Sequence, residues 1–310
     1  MNHFIYIKDL LAVKTNLDKF SWSYGTVEKN SKQEDFDRCK VKVYVRIVPD
    51  KEVPVCSGDK FSFFTVDKES STIYYSRRFF GAVNLCYSLR IDGNSIYMIC
   101  GKNYYRLVRG RIMNIHSVGY ILSDVVEGIL LNNGLCTIYC SAVSFKDRAV
   151  CLFGAPNTGK TLTGLLLCNK HGGKLVSEDF AVTDGENIWG APMTNTHRNY
   201  AGIDGANDKV EIEVNSVKVS DVVIIQKGKN LLSDEKDFIK VKSLNRYGLG
   251  YVRSPSLIAL GYYNHEFDIF KMSDKENEIL ESLVKNHGFL AVSSENVLDF
   301  ADSIMDNIRR

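Results

Sequence analysis

The stretch AVCLFGAPNTGKTLTGLLL, Ala149 to Leu167, limits the fold more than any other part of the chain. An apolar run enters a glycine-bounded loop, the loop ends in Lys-Thr, and a leucine-rich segment follows. Gly154-Ala155-Pro156-Asn157-Thr158-Gly159-Lys160-Thr161 satisfies the phosphate-loop pattern G-x-x-x-x-G-K-[ST]. Glycine allows backbone angles that turn successive N–H groups inward onto one phosphate. A helix expected to start near Thr161 adds its positive end to the same point. Lys160 is then placed to reach β and γ phosphates, and the Thr161 hydroxyl to ligate Mg²⁺. Roughly one chain in a hundred of this length would carry the pattern by chance at average residue frequencies. Here it also stands between a strand-like and a helix-like run, the context the motif requires. The loop therefore predicts binding of a nucleoside triphosphate such as ATP and is silent on the reaction.

Phosphoryl transfer needs a metal-holding acid, and often a carboxylate to take the acceptor's proton. LVSEDF supplies Glu178 and Asp179 after room for one helix, a Gly-Gly reversal and one strand. If that strand lies beside AVCLF in parallel, both acids emerge at the sheet edge that carries the loop. Strand alternation would send the two side chains apart, so a bend or a strand end is required there. A Ser-Glu-Asp triplet alone is also ordinary surface chemistry. The base-reading Asn-Lys-x-Asp of a GTPase is broken at Asn169-Lys170-His171-Gly172, which also falls too near the loop. Motor and transporter ATPases carry their Asp-Glu much farther downstream, after four apolar residues.

The 310 residues suffice for one large domain or two modest ones. A formal charge of +2 gives no reason to expect nucleic acid or a membrane as a bulk electrostatic partner. No apolar run is long enough to cross a bilayer, and MNHFIYIKDLLAVKTNLDK lacks the parts of a secretion signal, so the cytoplasm is the expected compartment. Eight cysteines without zinc spacing read as small buried thiols; Cys136 and Cys140 have no second pair to complete a site. Residues 1–115 read as a β-rich amino-terminal domain. Its strands are Val41–Val48, Lys60–Val66, Ser71–Ser76 and Ser95–Cys100. Residues 116–134 read as a connecting helix closed by Gly134.

Residues 135–310 read as an α/β domain with a mixed sheet and flanking helices. Its expected strands are Leu135–Phe145, Ala149–Phe153, Lys174–Val182, Glu186–Gly190, Lys209–Val214, Val219–Lys227 and Phe289–Ser294. A capping-box sequence at Ser273–Glu276 predicts a helix to about Asn286, and ENVLDFADSIMDNI a last amphipathic helix.

The segments CSAV-x-F-x-x-RAVCLFGAPNTGKT and LVSEDFAVTDG together resemble the HPr kinase/phosphorylase-like family, whose carboxy-terminal domain is related to phosphoenolpyruvate carboxykinase. The similarity covers about Gly134 to Ile225. The resemblance implies an HPr kinase-like phosphate-loop domain that uses ATP and Mg²⁺, with Lys160 on the phosphates and Thr161 assisting the metal. Glu178 and Asp179 fall on the family's acidic pair, Glu178 as base and Asp179 as Mg²⁺ ligand. Tyr139 stands where the family carries His, the first acid is Glu rather than Asp, and no E-x-R-G motif is present. Those departures point to a divergent relative, similar to the kinases encoded beside ribosomal peptides such as lasso peptides.

The expected activity is thus transfer of the γ-phosphoryl group to a serine-type hydroxyl on a peptide or small protein. The alternatives are a nucleotide-binding regulator or scaffold, and a small-metabolite kinase. A homo-oligomer stays open. Arg198, in Thr196-His197-Arg198, can brace a phosphate or an acidic substrate group, or stand in solvent as a loop residue. Arg106, Arg109 and Arg111 can receive an acidic substrate, but read first as one exposed strand face.

Overall fold

The computed structural model describes residues 1–20, 24, 28–29, 31–79, 81, 83–108, 115–191, 210–228, 236–249 and 253–308. The chain has mixed α/β content in two compact units. One comprises Met1–Ser23, Glu28–Asn133 and Val252–Asp274, the other Tyr24–Val27, Gly134–Tyr251 and Lys275–Arg310. A boundary falls at Asn133/Gly134, where Gly134 takes a left-handed conformation (φ 72°) after the helix. The helix expected to connect two domains groups with the first unit, as does the later segment Val252–Asp274.

The first unit holds β1 (Asn2–Ile7), β2 (Leu11–Thr15), β3 (Glu28–Lys29), α1 (Gln33–Arg38) and β4 (Val41–Val48). It continues with β5 (Asp59–Phe61), β6 (Phe64–Asp67), β7 (Thr72–Phe79), β8 (Val83–Asp92), β9 (Ser95–Gly101), α2 (Lys102–Leu107) and α3 (Val118–Asn132). Among the described residues nine strands form one sheet in the order β3-β1-β2-β4-β9-β8-β7-β6-β5, in which β4 runs parallel to both of its neighbours, β2 and β9, and the other pairs are antiparallel. The expected strand Lys60–Val66 is instead the hairpin β5–β6, because Ser62 at its tip adopts φ 54° and reverses the chain. Arg106 is exposed on α2 rather than on a strand face; Arg109 and Arg111 lie outside the described residues.

The second unit contains β10 (Cys136–Tyr139), β11 (Ser141–Phe145), β12 (Arg148–Phe153), α4 (Lys160–His171), β13 (Lys174–Ser177), β14 (Phe180–Thr183) and β15 (Asn187–Gly190). After it come β16 (Val217–Lys227) and α5 (Asp237–Leu249). In the first unit, α6 (Pro255–Tyr263) packs against α3. The chain then runs through α7 (Ile269–Lys285), β17 (Gly288–Ser294) and α8 (Phe300–Ile308). The order of the second sheet is β10-β14-β15-β16-β12-β11-β13, with β17 joined in parallel to β16. No helix among the described residues is long and apolar enough to cross a membrane.

Two expected strands are divided and a third is reduced to a bridge. Leu135–Phe145 breaks at Cys140 into β10 and β11, and Lys174–Val182 breaks at Glu178–Asp179 into β13 and β14. Lys209–Val214 supplies, among its described residues, one parallel bridge, Ile212 to Leu175. The carboxy-terminal helix α7 starts at Ile269, ahead of the expected Ser273. There the Asp268 carboxylate accepts from the Phe270 and Lys271 N–H groups at 2.9 and 3.0 Å, an earlier and sufficient cap.

The central strand β12 is buried on both faces from Ala149 to Phe153, which explains its unbroken apolar sequence. Val150 and Leu152 pack with Leu162, Leu165 and Leu166 of α4 and with Phe300 and Ile304 of α8. Gly172 ends α4 in a left-handed turn (φ 73°), its N–H donating to the Cys168 carbonyl at 3.0 Å.

Strand β13 does not adjoin β12; β11 lies between them, antiparallel to both. Two antiparallel steps restore the direction, so β13 and β12 run the same way and end at the same edge. Gly190 lets β15 cross close to β13, since a Cβ there would overlap the Val176 carbonyl group. Gly190→Ala is therefore expected to lower stability by about 1–3 kcal/mol, the usual cost of overpacking. An unchanged urea midpoint would contradict this close crossing.

Candidate functional site

The loop leaves the carboxyl end of β12 with glycine where only glycine fits. A Cβ at Gly154 would lie 2.7 Å from Thr158 Oγ1 and 2.8 Å from the Ile225 carbonyl oxygen of β16. The Thr158 hydroxyl and N–H both donate to the Ala155 carbonyl, at 2.7 and 3.2 Å, which closes the turn over Pro156. Asn157 (φ 65°) and Gly159 (φ 98°) take left-handed angles, the backbone pattern that gathers amides into a concavity. At Gly159 a Cβ would also strike the Val297 side chain. Helix α4 begins one residue earlier than expected, at Lys160, with no side-chain cap from Gly159. Its first amides therefore have no intrahelical acceptor.

Lys160 is only 3% exposed. Its ammonium donates to the carbonyls of Gly154 at 2.8 Å and Ala155 at 3.0 Å, and lies 4.3 Å from the centroid of the Tyr139 ring. Burial pulls its pKa down to about 8 from an ordinary 10.5, against the opposing pull of Asp179 and of Cys140. Asp179 thus stands within electrostatic reach of the ammonium. Thr161 is buried in the first turn of α4, beside Lys160.

Glu178 and Asp179 form the bend between β13 and β14, the break that two acids facing one site require. Ser177 fixes that bend. Its hydroxyl lies 2.8 Å from the Phe180 carbonyl and 3.1 Å from that of Cys140, while the Ser141 hydroxyl donates to the Ser177 carbonyl at 3.2 Å. Gly164 in α4 leaves room for the Ser141 hydroxyl, so helix, strand and acidic bend interlock at one point. Glu178 is 1% exposed and Asp179 is half-buried.

The two expected motifs, Gly154–Thr161 and Glu178-Asp179, therefore meet at one edge of the second sheet. Arg198 falls outside the described residues. Sequence reasoning missed the contribution of Ser177, although the serine before the acids was visible. It marked Tyr139 only as a departure from a family pattern, and no local signal pointed to its contact with Lys160. Among the described residues no group of three or more His, Cys, Asp or Glu side chains gathers to hold a metal. The donors at hand, one hydroxyl and one or two carboxylates, suit Mg²⁺, which keeps several waters and takes its remaining oxygens from phosphates. No protein-family model matches the chain. No curated protein matches it either.

The depressed Lys160 pKa has a definite sign in stability. Between pH 8 and 10.5 the unfolded chain holds this proton and the folded protein has released it, so stability attributable to Lys160 rises with pH across that window. Below pH 8 the penalty of the buried charge is fully present. The unfolding free energy of the wild type minus that of Lys160→Met, followed by urea titration, is expected to increase from pH 8 to 10.5. A flat difference would contradict the burial of the ammonium.

Proposed function

We propose that the second unit is an HPr kinase-like phosphotransferase, which binds MgATP on residues 154–161 and transfers the γ-phosphoryl group to a serine-type hydroxyl of a peptide or small protein. The observation that carries this reading is the convergence of Lys160 and Asp179 at the shared end of β12 and β13. A buried ammonium with main-chain amides around it suits a polyphosphate, whose charge offsets the cost of burying the cation. Thr161 and Asp179 are the residues that would hold Mg²⁺, which neutralises charge building on the phosphates.

In this reading Lys160 exchanges its loop carbonyls for β and γ oxygens. The uncapped amides of α4 orient the phosphate chain, and Asp179, with Thr161, would hold the cation. Glu178 accepts the proton of the acceptor hydroxyl as that oxygen bonds to the γ phosphorus. The bond to the bridging oxygen breaks and ADP departs. The site's construction from β12, β13 and α4, all held by one apolar cluster, supplies the rigidity that in-line transfer needs.

Incubation with γ-labelled ATP and candidate peptides tests the reading. Labelled peptide serine is the expected product. Lys160→Ala should abolish transfer, and Asp179→Asn should abolish it while weakening ATP binding mainly when Mg²⁺ is present. Full transfer by either variant would remove the mechanism. A second reading, a regulator that binds nucleotide without transferring it, is favoured by Tyr139 in the place of the family's His. Label that stays in ATP, in a protein that nevertheless binds it, would decide for the regulator.

A further inference from the structure

We propose that Tyr139 is a positioning residue for Lys160: the face of its ring carries the ammonium and fixes where that charge stands at the loop. The lysine stem has four rotatable carbons, so two carbonyl acceptors alone leave its head loosely defined. The third boundary is the Tyr139 ring, 4.3 Å from Nζ, inside the range of a favourable cation–π contact. In a buried setting that contact is worth more than at a surface, because no water competes for the ammonium.

The ring is itself held on several sides. Phe180, the first residue after the acidic bend, meets it edge-on with centroids 5.6 Å apart. Gly248 of α5 gives it space, since a Cβ there would overlap the ring. The Asn245 side chain, fully buried, accepts the Tyr139 N–H at 2.7 Å and donates toward the Thr137 carbonyl at 3.4 Å. Asn245 is held in turn by the buried Glu276 of α7, whose Oε1 is 3.4 Å from its Nδ2. Position 139 is thus set by two helices and the neighbouring strand.

A ring suits this place better than a charged group. A carboxylate would neutralise the lysine and repel phosphate, and an imidazole would repel the ammonium whenever it took a proton. An aromatic face attracts the cation through its quadrupole and leaves the full positive charge for a ligand. The contact belongs to the protein's own packing. Its service to phosphate binding rests on the nucleotide reading above.

The test replaces Tyr139 by phenylalanine and then by mono-, di- and trifluorophenylalanine, which keep the shape and progressively drain the ring face. Each form is made with Lys160 and with Lys160→Met, and unfolded in urea at pH 7. A packing role would respond equally in both backgrounds, so the difference between them isolates the ring–ammonium contact. The expected result is a stepwise loss of the Lys160-dependent part, with Tyr139→Phe close to wild type. Equal responses in both backgrounds would overturn the proposal.

In the Lys160 series, MgATP affinity should fall along the same steps, to about one-tenth at trifluorophenylalanine. Graded coupling with flat ATP affinity would also overturn the positioning role. Graded coupling in a protein that binds no ATP would refute the nucleotide reading and leave the hold of Tyr139 on Lys160 established.

Discussion

The arrangement of the second unit depends on keeping one ammonium inside the protein. Lys160 leaves the first turn of α4 and is almost fully enclosed, yet it is held by neutral partners: two loop carbonyls and an aromatic face. Desolvation of such a charge is expensive, and its pKa near 8 records that cost. The surroundings reduce the cost without cancelling the charge, and the carboxylate that pulls the other way, Asp179, sits on a separate bend. A cation kept buried but unneutralised attracts an anionic ligand more strongly than an exposed lysine would, because the low local dielectric strengthens the attraction.

Around that charge the sheet acts as a jig. Strand β12 delivers the loop, β13 delivers the acids, and the intervening β11 makes the two run in one direction. Ser141 and Ser177 tie the bend to neighbouring backbone, and Gly164 lets α4 settle against Ser141. The leucines of α4 then lock helix to sheet in one apolar cluster shared with α8. Polar positioning and hydrophobic packing are thus accomplished by the same few elements, so errors in either would displace both Lys160 and the acids.

Much of this was legible in local sequence. Gly154–Thr161 announced the loop, His171-Gly172-Gly173 the end of α4, and Gly134 the cap after α3, because each depends on backbone angles that only certain residues accept. The break at Glu178–Asp179 could be stated as a requirement of two acids facing one site, but Lys174–Val182 itself has the composition of one continuous strand. Its division accompanies a hydrogen bond from Ser177 to the Cys140 carbonyl, distant in sequence. The insertion of β11 between β12 and β13 is likewise a fact of pairing, and strand order has no local signature. Ser62 conceals a hairpin tip for a related reason: a non-glycine residue with positive φ sends no compositional signal. At Asp268, five residues ahead of Ser273, an acid won the cap, a competition between two adequate signals that sequence alone does not rank.

Asn245 has a consequence beyond the ring it steadies. Strand β10 is the outermost strand at its end of the sheet, and bare outer strands recruit strands from other molecules. The buried amide of Asn245 engages the Tyr139 N–H and points its own donors toward the Thr137 carbonyl, imitating the partner that a further strand would supply. A single side chain thereby covers the outward backbone groups of that strand, which discourages accretion of copies edge to edge.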